Sequence, residues 1–197
     1  REISQNTQAL KLWGTNRRIA VFFSDIANFT TVSESLGTEK IFTLLGEYLS
    51  AMTDILVKNR GTLDKYIGDA VMGFFWAPHT VEKPAHLACE TALEQQKIIA
   101  HLNEKWQKRG LPAIVFRVGI HIWDAMVGNI WSKDRFNYTA IGDTVNLASR
   151  LEWVNKEYGT SFLTIDEIPM PLNEDDIRFA GHADIAYFDF ARTINDW

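Results

Sequence analysis

The segment GTLDKYIGDAVMGFFWA, Gly61 to Ala77, constrains the chain most, because two runs of β-branched and aromatic residues flank a Gly68-Asp69 pair. Such a pair is a tight-turn signal that leaves its second residue exposed, so the hairpin presents the Asp69 carboxylate at its tip. Lys65 stands four residues earlier on the incoming strand. An acidic tip suits a divalent cation with oxygen ligands, and a strand lysine beside it suits an electron-rich base or a phosphate. A structural turn without chemistry is the competing reading of the hairpin taken alone.

A second carboxylate closes the run RIAVFFSD, Arg18 to Asp25, whose nearly continuous apolar stretch reads as a buried strand with Asp25 at its tip. The chain then turns at Ile26-Ala27-Asn28 into a helix starting near Phe29 and Thr30, where backbone N–H groups can hold phosphate oxygens. A carboxylate beside a phosphate site implies a metal ion. With a formal net charge of -5 and no Lys/Arg block, nucleic acid is excluded as a partner, and an anionic substrate needs cations to help it bind.

Residues 1–17 read as a polar helical lead-in or linker, and residues 18–197 as one domain. Thr38 to Asn59 carries apolar residues at helical period, with Thr38 a candidate cap and Gly61 past the end. Ala85 to Lys108 repeats the pattern after Pro84 and includes Cys89, the single cysteine, as a core residue, which points to a reducing compartment. His79, His86 and His101 lack metal-ligand spacing. No apolar run reaches membrane-spanning length, and the expected location is the cytoplasm, as the cytosolic part of a larger and even membrane-anchored protein.

Ala113 to Ile122 reads as a strand in which Arg117 needs an anionic partner or a solvent-facing position. Ala125 to Ile141 reads as a hairpin arm, suited to reach a second subunit, with a polar tip at Ser132 to Arg135. The following helix places Asn146 and Arg150 four residues apart on one face, either as a polar outer surface or as a neutral donor and a cation for phosphoryl charge. Short strands follow from Ser161, at Ile177 to Ala180 and at Ile185 to Phe190. Hairpins and irregular alternation predict an α+β fold with a mostly antiparallel sheet.

In this order, FFSDIANFT, LDKYIGDAVMGFF, RVGIH, VGNI and YTAIGDTVNLASRLE resemble the catalytic domain of class III nucleotidyl cyclases, closest to the bacterial, bicarbonate-responsive adenylate cyclases. The resemblance runs from about Leu10 to Ile165. It implies a ferredoxin-like βαββαβ core, a head-to-tail homodimer with two shared active sites, and conversion of ATP to cyclic AMP with two Mg²⁺ or Mn²⁺ ions. By motif position, Asp25, Asp69 and the Ile26 carbonyl match the metal ligands. Lys65 matches the adenine-reading lysine, and Thr139 the threonine that marks the bicarbonate-activated subgroup. Asn146 and Arg150 match the ribose-orienting and transition-state pair, and Arg117 an arginine on the triphosphate. Phe29 and Thr30 fall where the phosphates bind.

The chain also departs from that pattern. Asn28, Trp123 and Trp131 replace small residues, and Ala180-Gly181-His182 aligns where relatives carry a Lys-Gly-Lys loop. A tryptophan in place of glycine either packs an interface or blocks a backbone conformation. A dimerising regulatory module with weak or no turnover is therefore the rival reading, and a guanylate cyclase a second. Against the first, Asp25, Asp69, Asn146 and Arg150 are all retained. Against the second, Lys65 donates, and guanine presents a donor at N1 where adenine presents an acceptor.

Overall fold

The computed structural model describes residues 14–132, 135–159, 161–165 and 185–187, without side chains for 131–136, 158 and those beyond 161. The elements are β1 (Thr15–Ile26), α1 (Phe29–Leu36), α2 (Thr38–Lys58), β2 (Thr62–Ile67), β3 (Ala70–Phe75), α3 (Pro84–Lys108), β4 (Phe116–Ser132), β5 (Arg135–Ile141), α4 (Asp143–Tyr158), β6 (Phe162–Ile165) and β7 (Ile185–Tyr187). Sheet order is β2-β3-β1-β4-β6-β7, with β5 paired to β4. All pairings among β1 to β5 are antiparallel, and β6 and β7 add in parallel. The first four strands and the helices between them have the order and directions of a ferredoxin-like βαββαβ core, so the α+β expectation holds.

The apolar run of β1 is continuous because both faces of the strand are covered. Ala20, Phe22 and Ile26 enter one core, beneath Leu44, Tyr48, Met52 and Leu56 of α2 and Ala88, Cys89, Ala92 and Ile99 of α3. Ile19, Val21 and Phe23 enter a second core, closed by Ala148 of α4 and Ala140 of β5. A period of two thus feeds alternate residues to opposite layers. Burial pushes the Cys89 thiol up to about 12, in keeping with a packing role.

Three boundaries differ from expectation. β1 starts at Thr15, because Thr15 to Arg17 pair with Val127 to Ala125, so the end of the expected lead-in is strand. Thr38 is the first residue of α2 and does not cap it; Gly37 is the cap residue, and no side chain bonds to this helix start. The predicted strand 113–122 and the outgoing half of the arm are one strand, β4, which pairs continuously with β1 from Phe116 to Val127 and then with β5. Ser132 lies opposite Arg135, as an arm hairpin requires, and the 133–134 tip lies outside the described residues. The predicted strand 177–180 and the Ala180-Gly181-His182 segment also lie outside them.

One close approach fixes α4 on the sheet. A Cβ at Gly119 of β4 would sit 2.3 Å from both Ala148 O and Glu152 N, so only glycine lets this helix settle at that depth. No helix among the described residues is long and apolar enough to cross a membrane.

Candidate active site

At the carboxyl end of β1 the chain delivers Asp25, and the β2–β3 turn delivers Asp69. Gly68 takes φ +66 there, a left-handed conformation suited to glycine, and the Ser24↔Val71 pairing brings the turn against the strand end. The two side chains converge on one donor: the Ile26 N–H donates to Asp25 Oδ1 at 2.8 Å and to Asp69 Oδ2 at 3.1 Å. Burial first, then the hydrogen bond and charge of Asp69, with Glu152 behind, push the Asp25 carboxyl up to about 8, against the pull of the Ile26 N–H. Two carboxylates so close resist sharing negative charge. A hard cation with oxygen ligands relieves that repulsion, so this pair suits a divalent metal ion.

Arg117 borders the carboxylates. Its Nη2 lies 3.9 Å from Asp25 Oδ2 and its Nε 2.9 Å from Glu152 Oε1, with the Arg117 side chain only 12% exposed. Of the two expected alternatives, an anionic partner or a solvent-facing position, the first is met from within the chain, and Glu152 was not foreseen. Its carboxyl is raised by burial and pulled down by Arg117. Phe29 opens α1 and packs against the first core, while Thr30 beside it is exposed. First-turn N–H groups of a helix have no intrahelical partner, which keeps this end suited to an anion.

A separate cavity of about 450 Å³ opens on the other part of the predicted set, between β2, β3, β5 and α4. Lys65, Thr139 and Asn146 line it with Phe23, Met72 and Ile141. Arg150 lies one turn beyond Asn146 on the exposed face of α4 and, like Asp25 and Asp69, is not on the cavity wall. Lys65 Nζ donates to Thr139 Oγ1 at 3.1 Å. Behind them stands Asp64, fully buried and 3.0 Å from Lys65 Nζ, accepting from the Thr139 hydroxyl and, at 3.2 Å, from the Ala140 N–H.

Sequence reasoning missed Asp64 because strand alternation turns it away from Lys65. The β2–β3 register jumps there, pairing Leu63 with Gly73 and Lys65 with Met72, so Asp64 is a bulged residue with no partner opposite. A bulge re-aims a side chain, here toward Thr139. The available signal was a carboxylate inside an otherwise half-buried strand.

The model of the Adenylate and Guanylate cyclase catalytic domain matches residues 14–159. The chain belongs to this cyclase family. It is 39% identical over 147 residues to adenylate cyclase 1 of Rhizobium meliloti, covering 75% of this chain and 22% of that protein. It is 34% identical over 158 residues to the adenylate cyclase of Anabaena cylindrica, covering 78% and 30%. The chain therefore spans less than a third of the length of these relatives. Among solved structures, the adenylyl cyclase CyaB from P. aeruginosa matches with a TM-score of 0.70 at 39% identity, over 73% of this chain and 74% of that one. The guanylyl cyclase Cya2 matches with 0.72 at 28% identity, over 86% and 81%.

Two of the unusual residues in this cyclase domain have local explanations. Asn28 has φ 57 and ψ 34, a left-handed conformation that asparagine tolerates better than most non-glycine residues. Trp123 lies in β4 opposite Ile19, is 55% exposed, and stacks under the Arg18 guanidinium at 5.5 Å. It fills solvent-side space and occupies no left-handed position. Trp131 pairs with Phe136 in the arm, and its side chain lies outside the described set.

Proposed function

We propose that this cyclase domain converts ATP to 3′,5′-cyclic AMP and pyrophosphate, as the signalling part of a longer protein in the cytosol. The ribose 3′-oxygen attacks the α-phosphorus, the bond to the bridging oxygen of the β-phosphate breaks, and pyrophosphate leaves. The observation that carries the reading is the cavity in which Lys65, Thr139 and Asn146 converge. Lys65 offers an N–H to adenine N1, Thr139 meets the 6-amino group, and Asn146 orients the ribose. Arg150 offsets charge on the reacting phosphoryl group, and Arg117 exchanges part of its contact with Glu152 for the triphosphate.

Asp25, Asp69 and the Ile26 carbonyl would hold two divalent ions, Mg²⁺ or Mn²⁺, which supply acidification of the 3′-hydroxyl and neutralisation of the triphosphate. Class III cyclase domains use divalent metals and work as dimers, and a head-to-tail homodimer suits this chain because its carboxylates and its cavity are distinct sites within one subunit. One subunit then provides Asp25 and Asp69, and the other Lys65, Thr139, Asn146 and Arg150. Exposed Met126, Ile130 and Ile141 along β4 and β5 give the arm an apolar surface for such contact. Thr139 carries the further expectation of bicarbonate stimulation.

Guanylate cyclase activity is the second reading, favoured by the slightly higher TM-score of Cya2. The higher identity to adenylate cyclases and the donor character of Lys65 weigh against it. Incubation of the purified domain with Mn²⁺ and either ATP or GTP tests the assignment. Cyclic AMP in excess is expected; cyclic GMP in excess overturns the base assignment, and no product from either nucleotide leaves the regulatory module.

A further inference from the structure

We propose that Asp64 is the positioning residue that sets base choice, by fixing the Thr139 hydroxyl as a hydrogen-bond acceptor toward the cavity. The inference rests on the reading of that cavity as the adenine site.

A hydroxyl has one proton and two lone pairs. The Thr139 proton is committed to Asp64 Oδ2, a stronger acceptor and a much shorter contact than the Ala140 carbonyl at 3.5 Å. One lone pair accepts from Lys65 Nζ at 3.1 Å. Only a lone pair remains for a ligand. Lys65 has three N–H groups; one meets Thr139, and the ammonium also stands 3.0 Å from Asp64 Oδ1 as an ion pair, leaving at least one N–H for the cavity. The wall at these two residues therefore offers a donor beside an acceptor.

That pair complements adenine, which presents an acceptor at N1 and donor hydrogens at the 6-amino group. Guanine and hypoxanthine present the reverse, a donor at N1 and an acceptor at O6, and meet a mismatch at both atoms. Without Asp64, Thr139 could rotate its proton toward O6, and half of the discrimination would vanish. Asp64 cannot turn away easily: its side chain is fully buried, its Oδ2 also accepts from the Ala140 N–H, and the bulge in β2 holds it beside Thr139. Thr139 thereby gains the one-way acceptor character of a carboxylate without carrying the charge.

Two measurements test this. The first uses wild-type protein with Mn²⁺ and four nucleotides: ATP, purine riboside triphosphate, ITP and GTP. Loss of the 6-amino group should lower kcat/KM about tenfold, one unpaired buried contact, while ITP and GTP should both fall by about a hundredfold or more. ITP used nearly as well as ATP would mean that Thr139 donates to O6, and would overturn the proposal without any variant.

The second compares Asp64→Leu with Lys65→Ala and Thr139→Val. Leucine has about the same shape as aspartate and no acceptor, so the Thr139 proton loses its partner at Oδ2 and is free to turn toward the cavity. The ratio of cyclic AMP to cyclic GMP should fall about tenfold or more in Asp64→Leu, a readout that loss of fold alone would not move. An unchanged ratio in Asp64→Leu, with a shifted ratio in the other two, refutes the role of Asp64 and spares the adenine site. An unchanged ratio in Lys65→Ala and Thr139→Val removes the adenine site, and the role of Asp64 with it.

Discussion

Replacing Gly119 by alanine adds one methyl group and removes nothing, yet it should disable the domain. The new Cβ would stand 2.3 Å from Ala148 O and 2.3 Å from Glu152 N, where ordinary contact begins near 3.4 Å, a shortfall of about 1.1 Å. Those two atoms are the acceptor and donor positions of one i→i+4 step in α4, so the methyl group would wedge into the helix backbone and could not be accommodated by rotating a side chain. Overpacking of this kind costs about 1–3 kcal/mol. For a chain of this size that is a fall in Tm of roughly 2–12 °C. Because α4 carries Asn146 and Arg150, a recession of about 1 Å should also lower kcat by about a hundredfold. Gly46→Ala is the control. That glycine lies inside α2, and a Cβ added there would meet nothing within 4 Å, so alanine should raise stability by about 0.5–1 kcal/mol and leave turnover unchanged. Thermal unfolding and cyclic AMP assays on both variants decide the matter. A Gly119→Ala protein with unchanged Tm and activity within twofold of wild type would refute the claim that this contact sets the position of α4.

Asp25→Ala and Asp69→Ala should each reduce cyclisation to background while keeping the wild-type far-ultraviolet circular dichroism, since each removes a carboxylate from a strand end or turn and little core volume; substantial activity in either would defeat the metal assignment. Asp69→Ala and Arg150→Ala, inactive alone, should regain about a quarter of wild-type activity when mixed, because half of the dimers are then mixed and one site in each is intact; mixed dimers without activity would mean that each chain builds its own site. Glu47 accepts from Arg109 at 2.7 Å and from Trp106 at 2.8 Å, and these bonds, Arg109 first, hold its carboxyl below the usual value of 4.5. A lowered folded-state pKa contributes stability that is present above pH 4.5 and lost as pH falls through the folded value. Glu47→Gln should therefore lower Tm at pH 7 and lessen the loss of stability below pH 4.5; an identical acid profile would assign that loss elsewhere.

The hairpin, β1 and the core helices were legible because hydrophobic period and turn residues act locally. β4 was read as two pieces because Trp123-Asp124 interrupts its apolar run, although the strand continues through them by pairing with Ile19 and Arg18 of β1. Pairing between distant segments overrode local pattern. Thr38 looked like a cap, but the chain enters α2 through Gly37 at φ 73, leaving the threonine inside the helix. In the site, residue types marked Asp25, Asp69 and Lys65, and the family resemblance alone marked Thr139. Asp64 and Glu152 were hidden for a geometric reason: one depends on a bulge, the other on how deeply α4 sits, and neither has a periodic signature.

The two-faced burial of β1 also makes demands on how the molecule is made. Ile19 pairs with Trp123 and Phe23 with Met72, so the strand Ile19-Ala-Val-Phe-Phe23 has no sheet partner until about fifty further residues have been synthesised, and lacks its β4 partner until about a hundred have. At roughly 5–20 residues per second, that is about 5–20 s during which an uncharged, β-prone segment with every residue destined for the interior is open to solvent and to other chains. Such long-range pairing is slow to form. The arginines at 17 and 18, immediately before the run, and Asp25, just after it, flank the segment with charge during that interval. The same carboxylate that is proposed as a metal ligand thus also places a charge that opposes self-association of the nascent chain.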